Sequence, residues 1–329
     1  MTGISSLSTR EALYVTVRTI RRFEEEVVAL VDANEIPGVT HEYIGEEAIA
    51  AGVCAALRPD DAITSTHRGH GHLIARGASL RAMLAELLGR ESGTNQGRGG
   101  SMHVADLSRG ILGANGIVAA GAPIAAGAAW AALQAGDGAV AVTFFGDGGI
   151  NQGVLAETMN LASLWRLPLL FVCENNGYAV SLSVQRSTAG SILERASAVG
   201  MPAVSVDGMD AEAVHRATEA QLGRVRAGEG PAFIECRAYR FAGHNSAEGA
   251  MGLDPYRSDE EIAAWRARDP VSLLGDRLSA AARAELDALV ERRLGTAIEF
   301  ALAQPRPDPL TARDHVYAEA PMPRLGFVS

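Results

Sequence analysis

Two polar side chains in the middle of the chain each follow an apolar segment that predicts a buried strand. Asp147 comes just after residues 139–145, and Asn176 follows residues 167–173, with one predicted helix at residues 153–165 between them. A strand, helix and strand at this spacing predict a right-handed crossover, so both strands end at the same edge of a parallel sheet. A carboxylate, an amide oxygen and a backbone carbonyl just beyond Asn176 would supply half of the octahedral oxygen shell that Mg²⁺ prefers, and a diphosphate would supply most of the rest.

Glycines flank Asp147 on both sides. Gly146, Gly148 and Gly149 let the backbone approach a phosphate closely, and the helix predicted after them directs its N-terminal amides to the same place. A Gly-Asp-Gly sequence is also a common turn, so it is weak evidence alone. Its pairing with Asn176 across one crossover favours a site for magnesium and a diphosphate.

Seven segments in collinear order carry a resemblance to a known family. They are YIGEEAIAAGV, TSTHRGHGHLIARG, GRGGSMHVADLSRGILGANGIV, FGDGGINQG, FVCENNGYAV, MPAVSVDGMDAEAV and GPAFIECRAYRFAGH. Over about residues 40–275 the chain resembles the alpha subunits of thiamine diphosphate-dependent 2-oxo acid dehydrogenases. THRGHGH and MHVADLSRGILGANGIV are more similar to the acetoin dehydrogenase branch than to the pyruvate or branched-chain members.

The resemblance implies roles for individual residues of this chain. Asp147, Asn176 and the backbone oxygen of Tyr178 match the magnesium ligands of the family. The expected cofactor contacts are His67, Arg68 and His244 at the diphosphate, Gly116 and Val118 beside the aminopyrimidine, and Gly146, Gly148 and Gly149 along the phosphates. His70 matches a histidine near the active-site channel. We expect His70 and His244 to be catalytic, because imidazoles titrate in the range that proton transfer requires.

A partner subunit is also implied. In this family the glutamate that activates the cofactor comes from a beta subunit, so we expect an α2β2 heterotetramer. The expected oxidoreductase acts on acetoin or a short 2-oxo acid, a small-molecule substrate, and passes the acyl group to a lipoyl acyltransferase or another acceptor. The alternatives are a pyruvate or branched-chain 2-oxo acid dehydrogenase, a subunit of a specialised pathway, and a non-catalytic paralogue that only binds a partner.

Some positions depart from the family pattern. His67 stands where the family usually has a tyrosine, and Asn245 replaces a serine that many pyruvate enzymes carry in a phosphorylation site. Kinase control at this position is therefore not expected.

Two further segments leave alternatives. The sequence HRGHGH, with His67, His70 and His72, has a spacing that could hold zinc. Its glycines give no rigid tetrahedral frame and favour a solvated loop at a ligand site instead. The alanine-rich residues 119–132 place small side chains four apart, which fits packing on the chain's own sheet and packing across a subunit interface equally well.

The pattern of elements predicts an α/β fold with a doubly wound, mostly parallel sheet and helices on both faces, the thiamine diphosphate-binding fold of the family. Ser8 and Glu11 form a capping box before a helix that ends near residue 33. We expect one domain over residues 1–304, a polar loop at residues 243–256 with His244 at its start, and an extended tail at residues 305–329.

Composition narrows the class of protein. The formal net charge of the 329 residues is -10, which gives no electrostatic support for binding nucleic acid. Cys54, Cys173 and Cys236 each lie in an apolar run without CxxC spacing, so buried, reduced thiols are expected. The N-terminus lacks the pattern of a targeting signal and no segment is apolar enough to span a bilayer, so we expect a soluble, cytoplasmic protein without membrane contact.

Overall fold

A computed structural model describes residues 7–252 and 254–314 and places five parallel strands at the centre of the chain. The strands are β1 (Ala62–Thr64), β2 (Ala141–Gly146), β3 (Leu169–Asn175), β4 (Tyr178–Ala179), β5 (Leu182–Ser183), β6 (Ala203–Asp207) and β7 (Ala232–Arg237). The central sheet has the order β1-β2-β3-β7-β6, and each neighbouring pair is parallel. β4 and β5 form a separate antiparallel hairpin just after β3.

Helices cover both faces of this sheet. The described α-helices are α1 (Thr9–Asp32), α2 (Glu47–Ala55), α3 (His70–Ala75), α4 (Leu80–Leu87), α5 (Gly121–Ala135), α6 (Gly153–Trp165), α7 (Val184–Ser187), α8 (Ile192–Ser197), α9 (Ala211–Arg226), α10 (Asp259–Arg266), α11 (Pro270–Gly275) and α12 (Ala280–Ala303). Adjacent residues of β2 enter different cores: Phe144 packs in the core that includes α2 and α9, and Phe145 in the core of α5 and α6. This alternation confirms the doubly wound α/β fold.

The first helix begins where the sequence places it. The Ser8 hydroxyl accepts a hydrogen bond from the Glu11 amide, and the Glu11 carboxylate accepts one from the Ser8 amide at 2.8 Å, so the capping box is formed. Ile20, Phe23 and Val27 then bury one face of α1 in the main core. The helix also contacts α2 and α3.

The alanine-rich segment becomes α5, and its packing on the sheet is confirmed. Ala122, Ala125 and Ala129 are completely buried against the strands. The opposite side of the helix leaves Ile124 and Trp130 about half exposed. Small residues therefore allow close approach to the sheet while larger apolar residues face away from it.

Several short elements have no counterpart in the sequence prediction. They are β1, the β4-β5 hairpin, α3, α7, α8 and α11, and none exceeds six residues. Segments this short contain too few residues to display a helical or strand period. Their formation depends on neighbours, as β1 depends on its pairing with β2 at Ile63↔Val142.

The HRGHGH segment was expected to be a solvated loop, and this is wrong for its second half. His70 is the first residue of α3, and both His70 and His72 are completely buried. Gly71 lies so close to the Tyr43 ring that a Cβ atom would come within 2.3 Å of it. The glycines of this segment therefore permit tight packing of α3, as well as a turn.

The tail was expected to be extended throughout, but Pro309–Arg313 form a short 3-10 helix capped by Asp308. Residues 315–329 lie outside the described part of the chain, as does Leu253 of the predicted loop. Within that loop, Glu248–Ala250 form one further 3-10 turn.

The three cysteines are buried and free, as the sequence predicts. In the described ranges, every helix is too short or too polar to cross a lipid bilayer.

The contact between α2 and α9 gives a test of the packing. A Cβ atom on Gly52 would lie 2.7 Å from Val214 and 2.8 Å from the backbone oxygen of Ala211, so Gly52→Ala should lower the free energy of unfolding by about 1–3 kcal/mol. Gly223, also helical, has open space around its Cα, and Gly223→Ala should raise the free energy of unfolding by roughly 0.5–1 kcal/mol. Urea denaturation of both variants measures these changes, and equal effects would contradict the packing.

Candidate functional site

The two strand ends singled out by the sequence meet at the carboxyl edge of the sheet. Gly146 at the end of β2 pairs with Glu174 in β3, so Asp147 and Asn176 both lie just beyond this pair. A cavity of about 120 Å³ opens between them. Complete ligand pockets commonly measure about 300–1,000 Å³, so the cavity has room for one end of a ligand.

Ten of the predicted site residues line this one cavity. They are His67, Arg68, Val118, Gly146, Asp147, Gly148, Gly149, Asn176, Tyr178 and His244. They come from the segments that follow β1, β2, β3 and β7, and the residues before α5. Side chains far apart in sequence are thus brought to one place by the parallel sheet.

Gly116 and His70 do not line the cavity. Gly116 lies to one side, where an added Cβ atom would be 3.7 Å from the Met102 sulfur. His70 is completely buried: its Nδ1 lies 3.0 Å from the Glu24 carboxylate, and its Nε2 lies 3.0 Å from the Ser101 hydroxyl. Since both ring nitrogens have partners, His70 holds the turn at Ser101 in place, and its position does not support the predicted catalytic role.

Asp147 is nearly inaccessible, at 2% exposure, and its Oδ2 atom has no hydrogen-bond partner. Burial raises the pKa of this carboxyl group to about 6. A buried carboxylate oxygen without a partner is costly, and a bound cation would compensate its charge. This orphaned oxygen is the feature of the cavity that most directly fits a metal ion.

Asn176 is oriented by its neighbours. Its Oδ1 accepts a hydrogen bond from the Tyr178 amide, and its Nδ2 donates one to Glu46 Oε1, each at 3.1 Å. The second Glu46 oxygen is buried without a hydrogen bond and lies 3.4 Å from the Arg68 guanidinium, close enough for attraction between the charges. Burial, with the nearby Glu174 carboxylate, raises the pKa of Glu46 to about 7, against the opposing effect of Arg68.

Glu174 is fixed from behind the cavity. Its carboxylate accepts a hydrogen bond from the Tyr43 hydroxyl and lies 2.9 Å from His72 Nε2. The other nitrogen of His72 lies 2.8 Å from the Ser65 hydroxyl. The deeply buried His72 therefore supports the cavity wall through Glu174, while His67 faces the cavity.

Positive charge also reaches the cavity. The Arg68 guanidinium donates hydrogen bonds to the Glu42 and His244 backbone oxygens, at 2.6 and 3.0 Å. Arg240, 2% exposed, donates to the Val180 backbone oxygen at 3.1 Å. Both guanidinium groups are held by backbone oxygens, which preorganises them for an anion.

Three histidine rings cluster beside Arg68. The ring centroids of His41 and His67 are 4.8 Å apart, those of His41 and His244 5.0 Å, and those of His67 and His244 5.5 Å. Burial and the Arg68 charge lower the pKa of His41 to about 3, that of His67 to about 2 and that of His244 to about 4. The three rings are therefore neutral at pH 7.

Hydrogen bonds tether the loop that begins at His244 to Thr40, in the segment before α2. Ser246 donates its amide to the Thr40 backbone oxygen at 2.9 Å, and Thr40 returns a hydrogen bond from its own amide to the Ser246 hydroxyl at 3.0 Å. Glu248 accepts hydrogen bonds from the His244 amide and from the Tyr256 hydroxyl. The described part of this polar loop is thus folded back over the cavity.

Sequence reasoning missed four ionisable residues here: Glu46, Glu174 and Arg240, which line the cavity, and His41, which adjoins it. Glu46 and Arg240 lie inside segments that were quoted for the family resemblance, but nothing in their spacing distinguishes them from other charged residues. His41 is one isolated histidine. Only their burial beside the strand ends marks them as site residues.

The comparisons with known proteins agree with each other. The family model described as Dehydrogenase E1 component matches residues 15–309, a range that contains every residue of the cavity. The alpha subunit of acetoin:2,6-dichlorophenolindophenol oxidoreductase from Cupriavidus necator is 45% identical, covering 93% of this chain and 93% of its own length. The protein of the same name from Bacillus subtilis is 43% identical over 91% and 90%. The alpha subunit of the pyruvate dehydrogenase E1 component from Zymomonas mobilis is 41% identical over 89% and 84%.

The low pKa of His41 predicts a dependence of stability on pH. Unfolded His41 takes up a proton as the pH falls through about 6.5, whereas folded His41 stays neutral down to about 3. In this pH range the His41 ring takes up a proton when the chain unfolds. Each unit by which the pH falls therefore lowers the free energy of unfolding by up to about 1.4 kcal/mol. His41→Gln should remove that part of the slope between pH 7 and pH 5.

Chemical denaturation at several pH values, in buffer with a metal chelator, measures the slope. The matched control is His103→Gln, because His103 is exposed to water and lies outside the cluster. Identical slopes for the wild-type chain and His41→Gln would show that His41 takes up its proton without unfolding.

Proposed function

Because the chain belongs to the dehydrogenase E1 component family, we propose that it is the alpha subunit of a thiamine diphosphate-dependent dehydrogenase acting on acetoin or a short 2-oxo acid. The observation that carries the proposal is the unpartnered Asp147 oxygen, buried beside Asn176 at the carboxyl edge of the sheet. A cation held there would fix a diphosphate in the cavity.

Magnesium is the cation we propose. Asp147 would bind it through its carboxylate, Asn176 through its side-chain oxygen, and Tyr178 through its backbone oxygen. These are hard oxygen donors of the kind that Mg²⁺ prefers. The hydrogen bond from Asn176 to Glu46 keeps the amide nitrogen turned toward Glu46, which leaves the oxygen for the metal.

The diphosphate would lie between the metal and the positive side of the cavity. Arg68 supplies a full charge, and the neutral rings of His67 and His244 supply N–H donors without the cost of burying further charge. Gly148 packs against Ala179, where a Cβ atom would come within 2.8 Å, so a side chain there would push the hairpin out of place. Gly146 and Gly149 keep the remaining floor of the cavity free of side chains.

Bound thiamine diphosphate supplies the carbanion chemistry and the electron sink of the reaction. The residues of this chain orient it, balance its charge and exclude water from its diphosphate end. His244, at the start of the tethered loop, is the candidate for holding a proton near the reacting atoms. His70 has a positioning role, through Ser101, rather than a catalytic one.

We further propose that a beta subunit completes the site, in an α2β2 heterotetramer. The cavity accommodates only one end of a cofactor, and Ile117 and Val118 beside it are 72% and 47% exposed. Exposed apolar side chains at the rim of an incomplete cavity favour contact with another protein chain. The activating glutamate would come from that subunit.

The substrate class rests on the motifs and the relatives together. The relatives named for acetoin and the relative named for pyruvate all match most of this chain, so oxidation of pyruvate is the second candidate. The acyl group would pass to a lipoyl acyltransferase or another acceptor. A cytoplasmic location is proposed as well, supported by the three free thiols.

The proposed metal site predicts the effect of removing its carboxylate. In the enzyme assembled with its beta subunit, Asp147→Ala should abolish magnesium-dependent binding of thiamine diphosphate, because water cannot restore the lost charge of the ligand shell. Calorimetry measures the affinity. Asp137→Ala is the matched control, since Asp137 is an exposed carboxylate before the opposite end of the same strand. Unchanged affinity in Asp147→Ala would refute the assignment.

The proposed partner predicts the behaviour of the chain by itself. The purified chain should show no turnover of acetoin or pyruvate, because the activating glutamate is absent, and activity should appear on mixing with the beta subunit. A dye-reduction assay with and without the beta subunit measures both states. Turnover by the chain alone would contradict the proposal that the beta subunit supplies the activating glutamate.

A further inference from the structure

The three clustered histidines come from different parts of the fold. His41 lies before α2, His67 follows β1, and His244 begins the loop after β7. One nitrogen atom from each ring lies within 4.8 Å of the corresponding atom of the other two. Three imidazole nitrogens at this spacing need only small side-chain movements to reach one ion at about 2.0–2.1 Å.

His41 carries an independent sign that the cluster is incomplete. The residue is 7% exposed, and its Nδ1 atom is buried with no hydrogen-bond partner. A buried ring nitrogen normally has a partner, because leaving it without one costs free energy. The Nδ1 atom of His41 can therefore coordinate an ion without losing a hydrogen bond.

We propose that His41, His67 and His244 form a binding site for a transition-metal ion of the zinc, cobalt or nickel class, with water as the fourth ligand. Imidazole nitrogens select these ions, whereas magnesium prefers oxygen. Three histidines and one open position form a common tetrahedral set for Zn²⁺. The nitrogen site is therefore chemically distinct from the oxygen donors Asp147 and Asn176 in the adjoining cavity.

The nearby Arg68 opposes a cation at this place, and its charge is offset. The buried Glu46 carboxylate lies 3.4 Å from Arg68, and Glu248 contacts the backbone of His244. Two guanidinium groups, Arg68 and Arg240, and the carboxyl groups of Glu46 and Glu248 therefore surround the cluster and the adjoining cavity. The three neutral imidazole nitrogens are the groups of the cluster that can coordinate an ion.

Metal binding here would interfere with the diphosphate, a consequence that rests on the proposed function. His67 and His244 are the imidazoles proposed to contact the diphosphate. A ring that coordinates the metal ion is turned toward that ion and away from the diphosphate. Zinc and magnesium thiamine diphosphate should therefore exclude each other. Zinc at this site would inhibit assembly of the loaded enzyme.

The direct test uses Co²⁺ as the probe on the full chain, produced without a histidine tag and stripped with a chelator. One equivalent should give the visible absorption of a tetrahedral site, and one equivalent of Zn²⁺ should displace it. His41→Gln and His244→Gln should each weaken Co²⁺ binding at least tenfold, while His103→Gln binds as the wild type does. Circular dichroism checks that each variant is folded, and either variant alone decides the outcome.

Failure to bind one equivalent of Co²⁺, or binding by either folded variant at wild-type affinity, would overturn the proposal. A second titration, on the enzyme assembled with its beta subunit and in the presence of magnesium and thiamine diphosphate, tests exclusion: Co²⁺ affinity should fall at least tenfold, and an unchanged affinity would refute exclusion. If thiamine diphosphate fails to bind the assembled enzyme, the proposed function is wrong, and the first titration still decides the metal site.

Discussion

The parallel pairing of β2 with β3 is the constraint on which the candidate site depends. Its register sets Gly146 opposite Glu174, and Asp147 and Asn176 follow directly at the edge of the sheet. The register is held by apolar side chains that alternate between two cores, with Phe144 in one and Phe145 in the other. A slip by one residue would exchange these faces, so the packing of both cores fixes the geometry of the cavity.

Burial of polar groups at this edge gives the site its electrostatic character. Burial raises the pKa of the Asp147 and Glu46 carboxyl groups, and it lowers the pKa of His41, His67 and His244. These shifts disfavour charge on both kinds of group in the free chain. One oxygen each of Asp147 and Glu46 is buried without a hydrogen-bond partner, and a bound cation would compensate such an oxygen.

The small size of the cavity supports the proposal that this chain supplies only part of the cofactor site. The sheet edge, the β4-β5 hairpin and the tethered loop surround one small space, and Ile117 and Val118 remain exposed beside it. Oxygen donors lie on the side of β2 and β3, and the nitrogen cluster lies on the side of β1 and the loop. The two proposed metal sites would therefore use distinct sets of donors within one region, and the affinity of each would depend on which ligand occupies the space between them.

The sequence by itself determined the fold class and the position of two candidate ligands at the edge of the sheet. Alternating strands and helices predict a doubly wound sheet, and the turn after each central strand places Asp147 and Asn176 at its edge, because these features depend on local periodicity and short connections. The resemblance of the motifs to a known family then predicted His67, Arg68 and His244 as further residues of the same site. Each of these predictions used information contained in a continuous segment.

Only the tertiary structure decided which neighbouring residues share the site. His67 faces the cavity, whereas His70, three positions later, begins α3 and is buried against Glu24 of α1. His41 and Glu46 enter the region because the segment before α2 crosses the ends of β2 and β3. Periodicity fixes the face of an element on which a side chain lies, but its neighbours depend on packing between elements distant in sequence, and no local pattern encodes that packing.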